Sequence, residues 1–199
     1  MKLSDLVSHT SRWLDIDHTV VGTYARFLRQ GQAISSAGKG GAAAEMDEDD
    51  KLALLVAVCG CGTARTAARA LPRWLKLPFA GPSLAEYSPP FKFLVQRDLK
   101  ASLLCLFSEL GSGQIQAWRG LVKEAPRENQ EVLLTARFDV DKEAASIAVE
   151  CVTKNQFNRR RTSVRYSVDF YNEPSTGNSK LAREINLTGL AGWGQCIVK

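Results

Sequence analysis

Residues 17–31 read DHTVVGTYARFLRQG, and this stretch decides the fold of the N-terminal region. Its apolar residues recur three and four positions apart, as on one face of an α-helix, and they are Val20, Val21, Tyr24, Phe27 and Leu28. Asp17 is suited to cap the start of this helix, and Gly31 is suited to end it. The sequence therefore predicts an amphipathic helix.

The polar face of this helix contains no acidic residue. Removing the apolar positions and Ala25 leaves His18, Thr19, Gly22, Thr23, Arg26, Arg29 and Gln30. Arg26 and Arg29 lie about one helical turn apart and suit guanine edges or phosphates, and the threonine hydroxyls suit phosphate or base contacts. We interpret this face as a DNA-binding surface, the alternative being an ordinary packed helix with solvated arginines.

The segments on either side complete a helix-turn-helix and a wing. Residues 3–14 carry apolar residues at helical spacing and predict a helix before the polar break at 15–17. Residues 32–44, QAISSAGKGGAAA, have no periodicity and predict a flexible loop or β-wing. Its glycines let the backbone approach phosphates, and its side-chain donors are Ser35, Ser36 and Lys39.

Two more helices are predicted before residue 78. The acids of Asp47–Asp50 suit the start of a helix over 47–59, whose expected buried residues are Leu52, Leu55, Val56 and Cys59. A fourth helix is predicted over 63–76, and Pro72 is expected to kink or end it.

The succession HTVVGTYARFLRQGQAISSAGKGG at residues 18–41 resembles the recognition helix and wing of winged-helix transcription regulators, in the style of small DNA-binding proteins of bacteriophages and mobile elements. This resemblance covers the N-terminal part only. It implies sequence-specific binding of double-stranded DNA, usually by a homodimer. The sequence departs from the pattern because a typical winged helix has a further helix before the pair and none is predicted here, so we expect the helices at 47–59 and 63–76 to complete the core.

A proline-rich stretch predicts a domain boundary. Residues 78–90 contain four of the seven prolines, which disfavour both helix and central strand. We therefore expect a winged-helix-like domain over 1–77 and a dimerisation or partner-binding domain over 91–199.

The second expected domain, 91–199, has one segment with helical periodicity and three segments in which apolar and polar residues alternate. An apolar stripe predicts a helix ending at 111, and alternation predicts strands at 132–138, 145–151 and 164–170. The tail is compatible with a last strand and a short helix. The expected fold class is α+β, with a C-terminal helix packed on an antiparallel β-sheet.

A basic cluster lies between two of the predicted strands and consists of Arg159, Arg160 and Arg161. It suits contact with a phosphate backbone, and it is equally typical of a solvated hairpin loop.

No catalytic residue, metal site or cofactor is predicted. The two histidines, His9 and His18, are accompanied by no motif of a hydrolase, a metalloenzyme or a phosphate loop. The spacing of Cys59 and Cys61 does not match that of zinc ligands, and the five cysteines are expected to be free thiols. Because no export signal and no apolar run of membrane-spanning length is visible, we expect a cytoplasmic protein without a membrane partner.

The sequence thus predicts a DNA-binding transcriptional regulator rather than an enzyme. Two other functions stay open at this point. The first is a DNA-recognition subunit for phage packaging, similar to a small terminase subunit, which would form a ring. The second is a phage-encoded interaction module or inhibitor that binds a protein partner through the C-terminal sheet.

Overall fold

The structure is a computed structural model of the chain, and it describes residues 1–36, 44–80, 96–111, 130–154, 160–172 and 181–187. Within these residues the helices precede the strands. The helices are α1 (Leu3–Leu14), α2 (His18–Gln30), α3 (Glu48–Gly60), α4 (Ala64–Leu75) and α5 (Leu99–Gly111), and the strands are β1 (Gln130–Asp139), β2 (Ala144–Lys154), β3 (Arg160–Phe170) and β4 (Ala182–Asn186).

The four strands form one antiparallel sheet in the order β3-β2-β1-β4. A short 3-10 turn, Val140–Lys142, joins β1 to β2. All three strands predicted from alternation lie in this sheet, and the tail supplies the fourth, which pairs with β1. The α+β class and the antiparallel sheet are therefore confirmed.

Helix α3 is the centre of the helical region. Every residue from Asp50 to Gly60 is buried, and the helix contacts α2, α4, α5 and β1. The sequence predicted only one buried face for this helix, whereas the structure buries its residues 50–60 on every side. Residues 52–60 contain no charged side chain, and a helix that is apolar all round is buried all round.

The start of α3 is capped by two aspartates, and the carboxylate of each accepts a hydrogen bond from the backbone N–H of the other. The Asp50 N–H donates to the Asp47 carboxylate at 2.8 Å, and the Asp47 N–H donates to the Asp50 carboxylate at 3.2 Å. The second oxygen of Asp50 accepts from the Ser35 N–H at 2.8 Å, so this buried carboxylate also anchors the loop that follows α2.

Pro72 lies inside α4 and does not end it. The helix continues to Leu75, which corrects one of the two outcomes expected from the sequence. Leu71 and Trp74, on either side of the proline, are both buried. Their burial compensates for the backbone hydrogen bond that a proline cannot donate.

The helices and the sheet share one continuous hydrophobic cluster. The rings of Trp74 and Phe138 lie 5.8 Å apart between α4 and β1. Helix α5, grouped with the sheet from its sequence, packs mainly against α3 and α4. Most of the predicted boundary region, 78–90, lies outside the described residues, and the division into two domains stays a prediction.

Arg183 provides a polar link between sheet and helices. Its guanidinium, on β4, donates to the carbonyl of Val58 in the last turn of α3. The last carbonyls of a helix have no partner inside that helix, so the end of α3 is closed by a residue from the sheet.

Candidate nucleic-acid interface

Helix α2 is held by a cap at its start and by an apolar face along its length. The Asp17 carboxylate accepts from the N–H groups of Thr19 at 2.7 Å and Val20 at 3.4 Å. These bonds, with one from the Thr19 side chain as the largest effect, lower the pKa of Asp17. The buried face consists of Val21, Tyr24, Ala25 and Leu28. The outer side chains are thus presented by an anchored helix.

One apolar residue was assigned to the wrong face. Val20 was expected to face the core, but 46% of it is exposed. Phe27 is half-buried, and the Arg26 guanidinium lies 5.1 Å from the centre of its ring. This cation–π contact restricts where the Arg26 side chain points.

The predicted polar face of α2 stands clear of the core. Five of its predicted contact residues are exposed, and they are His18, Thr19, Arg26, Arg29 and Gln30. Thr23 is half-buried, and its hydroxyl donates to the Thr19 carbonyl at 2.8 Å.

A cleft of about 410 Å³ separates the start of α1 from α2. Its polar lining consists of Lys2, Ser4, His18, Arg26 and Arg29, and its floor is apolar. No carboxylate lines it among the described residues. The cleft therefore joins both arginines of α2 to a lysine at the N-terminus in one basic, open groove.

The loop after α2 is described only at its two ends. Ser35 and Ser36 are exposed, whereas Lys39 and the rest of the predicted wing, 37–43, lie outside the described residues. Where the chain returns, Glu45 forms an isolated antiparallel bridge with Lys2. This bridge brings the exposed acids at the start of α3 beside the start of α1, so the basic groove has an acidic neighbour at that end.

The arginine triplet of the second region is described only in part. Arg159 lies outside the described residues, and Arg160 and Arg161 begin β3 without described side chains. Their predicted phosphate contact stays a prediction.

A second basic surface was missed by our reading of the sequence. Arg65, Arg69 and Arg73 on α4 and Lys76 directly after it are all exposed, and we call these four residues the α4 ridge. The signal was present in ARTAARALPRWLK, where three arginines recur every four residues. Arg73 forms an ion pair with Glu143 at 2.9 Å.

The α4 ridge lies beside the end of α2. A methyl group built on Gly31 would lie 2.4 Å from the Ala68 Cβ, so the two backbones approach as closely as a glycine allows. Arg65 and Arg69 flank Ala68 along α4, and Arg29 and Gln30 immediately precede Gly31. The two basic helices are therefore direct neighbours.

The cysteines have the character of core residues. Cys59 and Cys61 are buried free thiols, as expected, and Cys151 is also buried, whereas Cys105 is half-buried and Cys196 lies outside the described residues. Burial raises the pKa of Cys59 to about 12 and that of Cys61 to about 11. Within the described ranges, no three potential metal-ligating side chains come together.

No protein-family model, curated protein or solved structure matches this chain. Among the described helices, none is by itself long and apolar enough to cross a membrane; α3 and α4 meet that criterion only as a pair bent by 112°.

Proposed function

We propose that this chain is a sequence-specific DNA-binding protein of the winged helix-turn-helix type, acting in transcriptional control in the cytoplasm as a homodimer. The observation that carries the proposal is the exposed, acid-free face of α2, with Arg26 and Arg29 in one basic cleft. Helix α2 is the recognition helix, α1 is its support, and the loop after α2 supplies the wing.

The dimensions of α2 suit a major groove. Its 13 residues correspond to a length of about 20 Å, and a helix with its side chains is about 10–12 Å across, close to the roughly 12 Å width of the groove. The buried residues of α2 fix its rotation, so the same side chains always face outward. A fixed outer face reduces the ordering that binding requires.

The chemistry of this face supports recognition of bases as well as phosphates. An arginine can donate two hydrogen bonds to the O6 and N7 atoms of guanine, and Gln30 can pair in the same way with adenine. Thr19 and His18, at the start of the helix, are suited to phosphate contacts. The mixture differs from that of a purely electrostatic surface, which requires only lysine and arginine.

The test is selection of a binding sequence followed by titration. A random-sequence duplex library is enriched on the full-length protein, and the enriched duplex and a scrambled duplex of the same composition are compared by fluorescence anisotropy. We expect the enriched duplex to bind more tightly, with the logarithm of affinity falling linearly with the logarithm of salt concentration. The double variant R26A/R29A should lose about 10²-fold or more for the enriched duplex and most of the preference over the scrambled one.

The control is R12A/R97A, which also removes two exposed arginines, Arg97 being paired with Asp98 at 3.3 Å, but leaves the cleft intact. It should keep both affinity and preference. Absence of duplex binding by the wild-type protein would overturn the proposal in favour of a protein-interaction module. A ring oligomer in light scattering would favour a packaging subunit.

A further inference from the structure

We propose that α4 is a second DNA-contacting helix, whose arginine ridge binds the phosphate backbone of the duplex that α2 reads. The inference rests on the proposed function for the identity of the duplex, and on separate residues for the contact itself. It assigns the ridge a sequence-independent, positioning role.

The spacing of the ridge gives it a direction. Arg65, Arg69 and Arg73 recur every four residues, so their Cα atoms rise by about 6 Å per step and span about 12 Å along one side of α4. The opposite side of α4 buries Ala67, Leu71 and Trp74. Because that side is packed in the core, the three guanidinium groups are held outward as a row.

Most of the positive charge of the α4 ridge is not neutralised by acidic side chains. Residues 64–77 contain no acidic residue, and Arg65, Arg69 and Lys76 make no ion pair within the described part of the chain. Solvated helices commonly alternate acids and bases, and like charges one turn apart destabilise a helix. A row of phosphates would relieve this repulsion. The charge of the ridge is therefore complementary to a polyanion.

The position of the ridge favours the same duplex that α2 contacts. Gly31 packs on Ala68, so Arg65 and Arg69 lie beside the C-terminal end of α2. A helix in the major groove has a phosphate backbone on each side of it. The ridge is therefore placed to follow a backbone strand while α2 occupies the groove.

Glu143 marks the far end of the ridge. It lies with Thr66, Arg69 and Arg73 in a cleft of about 240 Å³ between α4 and the β1–β2 turn, and it neutralises Arg73. The Arg73 and Glu143 side chains are 63% and 39% exposed, so this ion pair is open to competition by a phosphate. Removing the carboxylate should add one effective cation to the ridge.

The experiment compares salt dependence for the enriched and scrambled duplexes. R65A/R69A should weaken both complexes by a similar factor and reduce the magnitude of the log–log salt slope by about 1.8, while the preference between the duplexes stays unchanged. E143Q should increase the magnitude of the slope by up to about 0.9, and R73A added to E143Q should abolish that increase. R12A/R97A is again the control, and circular dichroism verifies that each variant is folded.

Each outcome decides between the two proposals. If the wild type binds with preference and R65A/R69A leaves slope and affinities unchanged, the ridge inference is wrong and the role of α2 stands. If R65A/R69A weakens binding but the wild type shows no preference and R26A/R29A has no effect, the ridge stands and the recognition role of α2 is wrong. If no duplex binds, both are overturned.

Discussion

Helices α2 and α3 are each 13 residues long, yet they occupy opposite roles in the molecule. Residues 50–60 of α3 are buried on all sides, and their neighbours are other elements of the same chain. Helix α2 buries one face against that core and leaves the other in solvent. The difference teaches that residues buried on every side of a helix leave no surface for a ligand, and that the capacity to bind depends on the residues excluded from the core.

The largest expected effect is on stability, from a truncation in α3. Leu54 is fully buried, so Leu54→Ala should lower the free energy of unfolding by about 2–5 kcal/mol through lost burial and a residual cavity. Arg26→Ala, on the exposed face of α2, should change it by no more than about 1 kcal/mol, including the lost cation–π contact with Phe27. Urea unfolding followed by circular dichroism measures both. Comparable losses in the two variants would show that the outer face of α2 is packed.

A smaller loss is expected at the carbonyl end of α3. Arg183→Ala removes the charged donor to the Val58 carbonyl and should cost about 1.5–3 kcal/mol. Arg183→Lys keeps the charge and should recover part of the loss. Chemical denaturation of the two variants provides the comparison. Full stability in Arg183→Ala would mean that α3 does not need a cap from the sheet.

The contact between α2 and α4 can be tested by overpacking. Gly31→Ala places a methyl group 2.4 Å from the Ala68 Cβ and should destabilise the protein by about 1–3 kcal/mol. Because Gly31 has a φ of −85°, the backbone itself tolerates alanine, so the effect arises from the contact. Ala68→Gly in the same chain should relieve the clash, and a double-mutant cycle from thermal unfolding measures the coupling. Additive effects would contradict the close approach.

The smallest effect concerns pH and the start of α2. The pKa of Asp17 is lowered below its ordinary value of 3.8, so its contribution to stability is present above that pH and is lost as the pH falls through the lowered value. Asp17→Asn keeps an oxygen that accepts from the Thr19 N–H and removes the titration. The difference in melting temperature between wild type and variant should therefore shrink between pH 7 and pH 3. A constant difference would exclude Asp17 as the titrating cap.

Much of the fold follows from local patterns. The spacing of apolar residues predicted α1 to α4 nearly to their ends. Capping residues such as Asp17 and Asp47 can be recognised from a few neighbouring residues. The alternation of β1 to β3 was equally local. The order of the sheet was not predictable in this way. The pairing of β4 with β1 depends on which edge the rest of the chain leaves available, and no short window of sequence contains that information.

In the candidate site, too, the features with a local sequence signal could be predicted and those that depend on tertiary contacts could not. Most of the exposed polar residues of α2 follow from its periodicity, although Val20 was wrongly expected in the core and Thr23 is half-buried. The α4 ridge carries an equally regular signal, but its significance depends on the approach of Gly31 to Ala68, which joins two helices that are distant in sequence. Arg183 gave no signal at all, because a lone arginine in a strand is indistinguishable from a solvated one.

The bond from Arg183 to Val58 spans 125 residues of chain, and this distance has a consequence for synthesis. The described helices are synthesised before β4, so the residue that closes the end of α3 is made after every residue of that helix. A nascent chain halted before residue 183 would lack the side-chain donor to the Val58 carbonyl. The hydrogen bonding at the end of α3 is therefore completed only once β4 has been made and has joined the sheet.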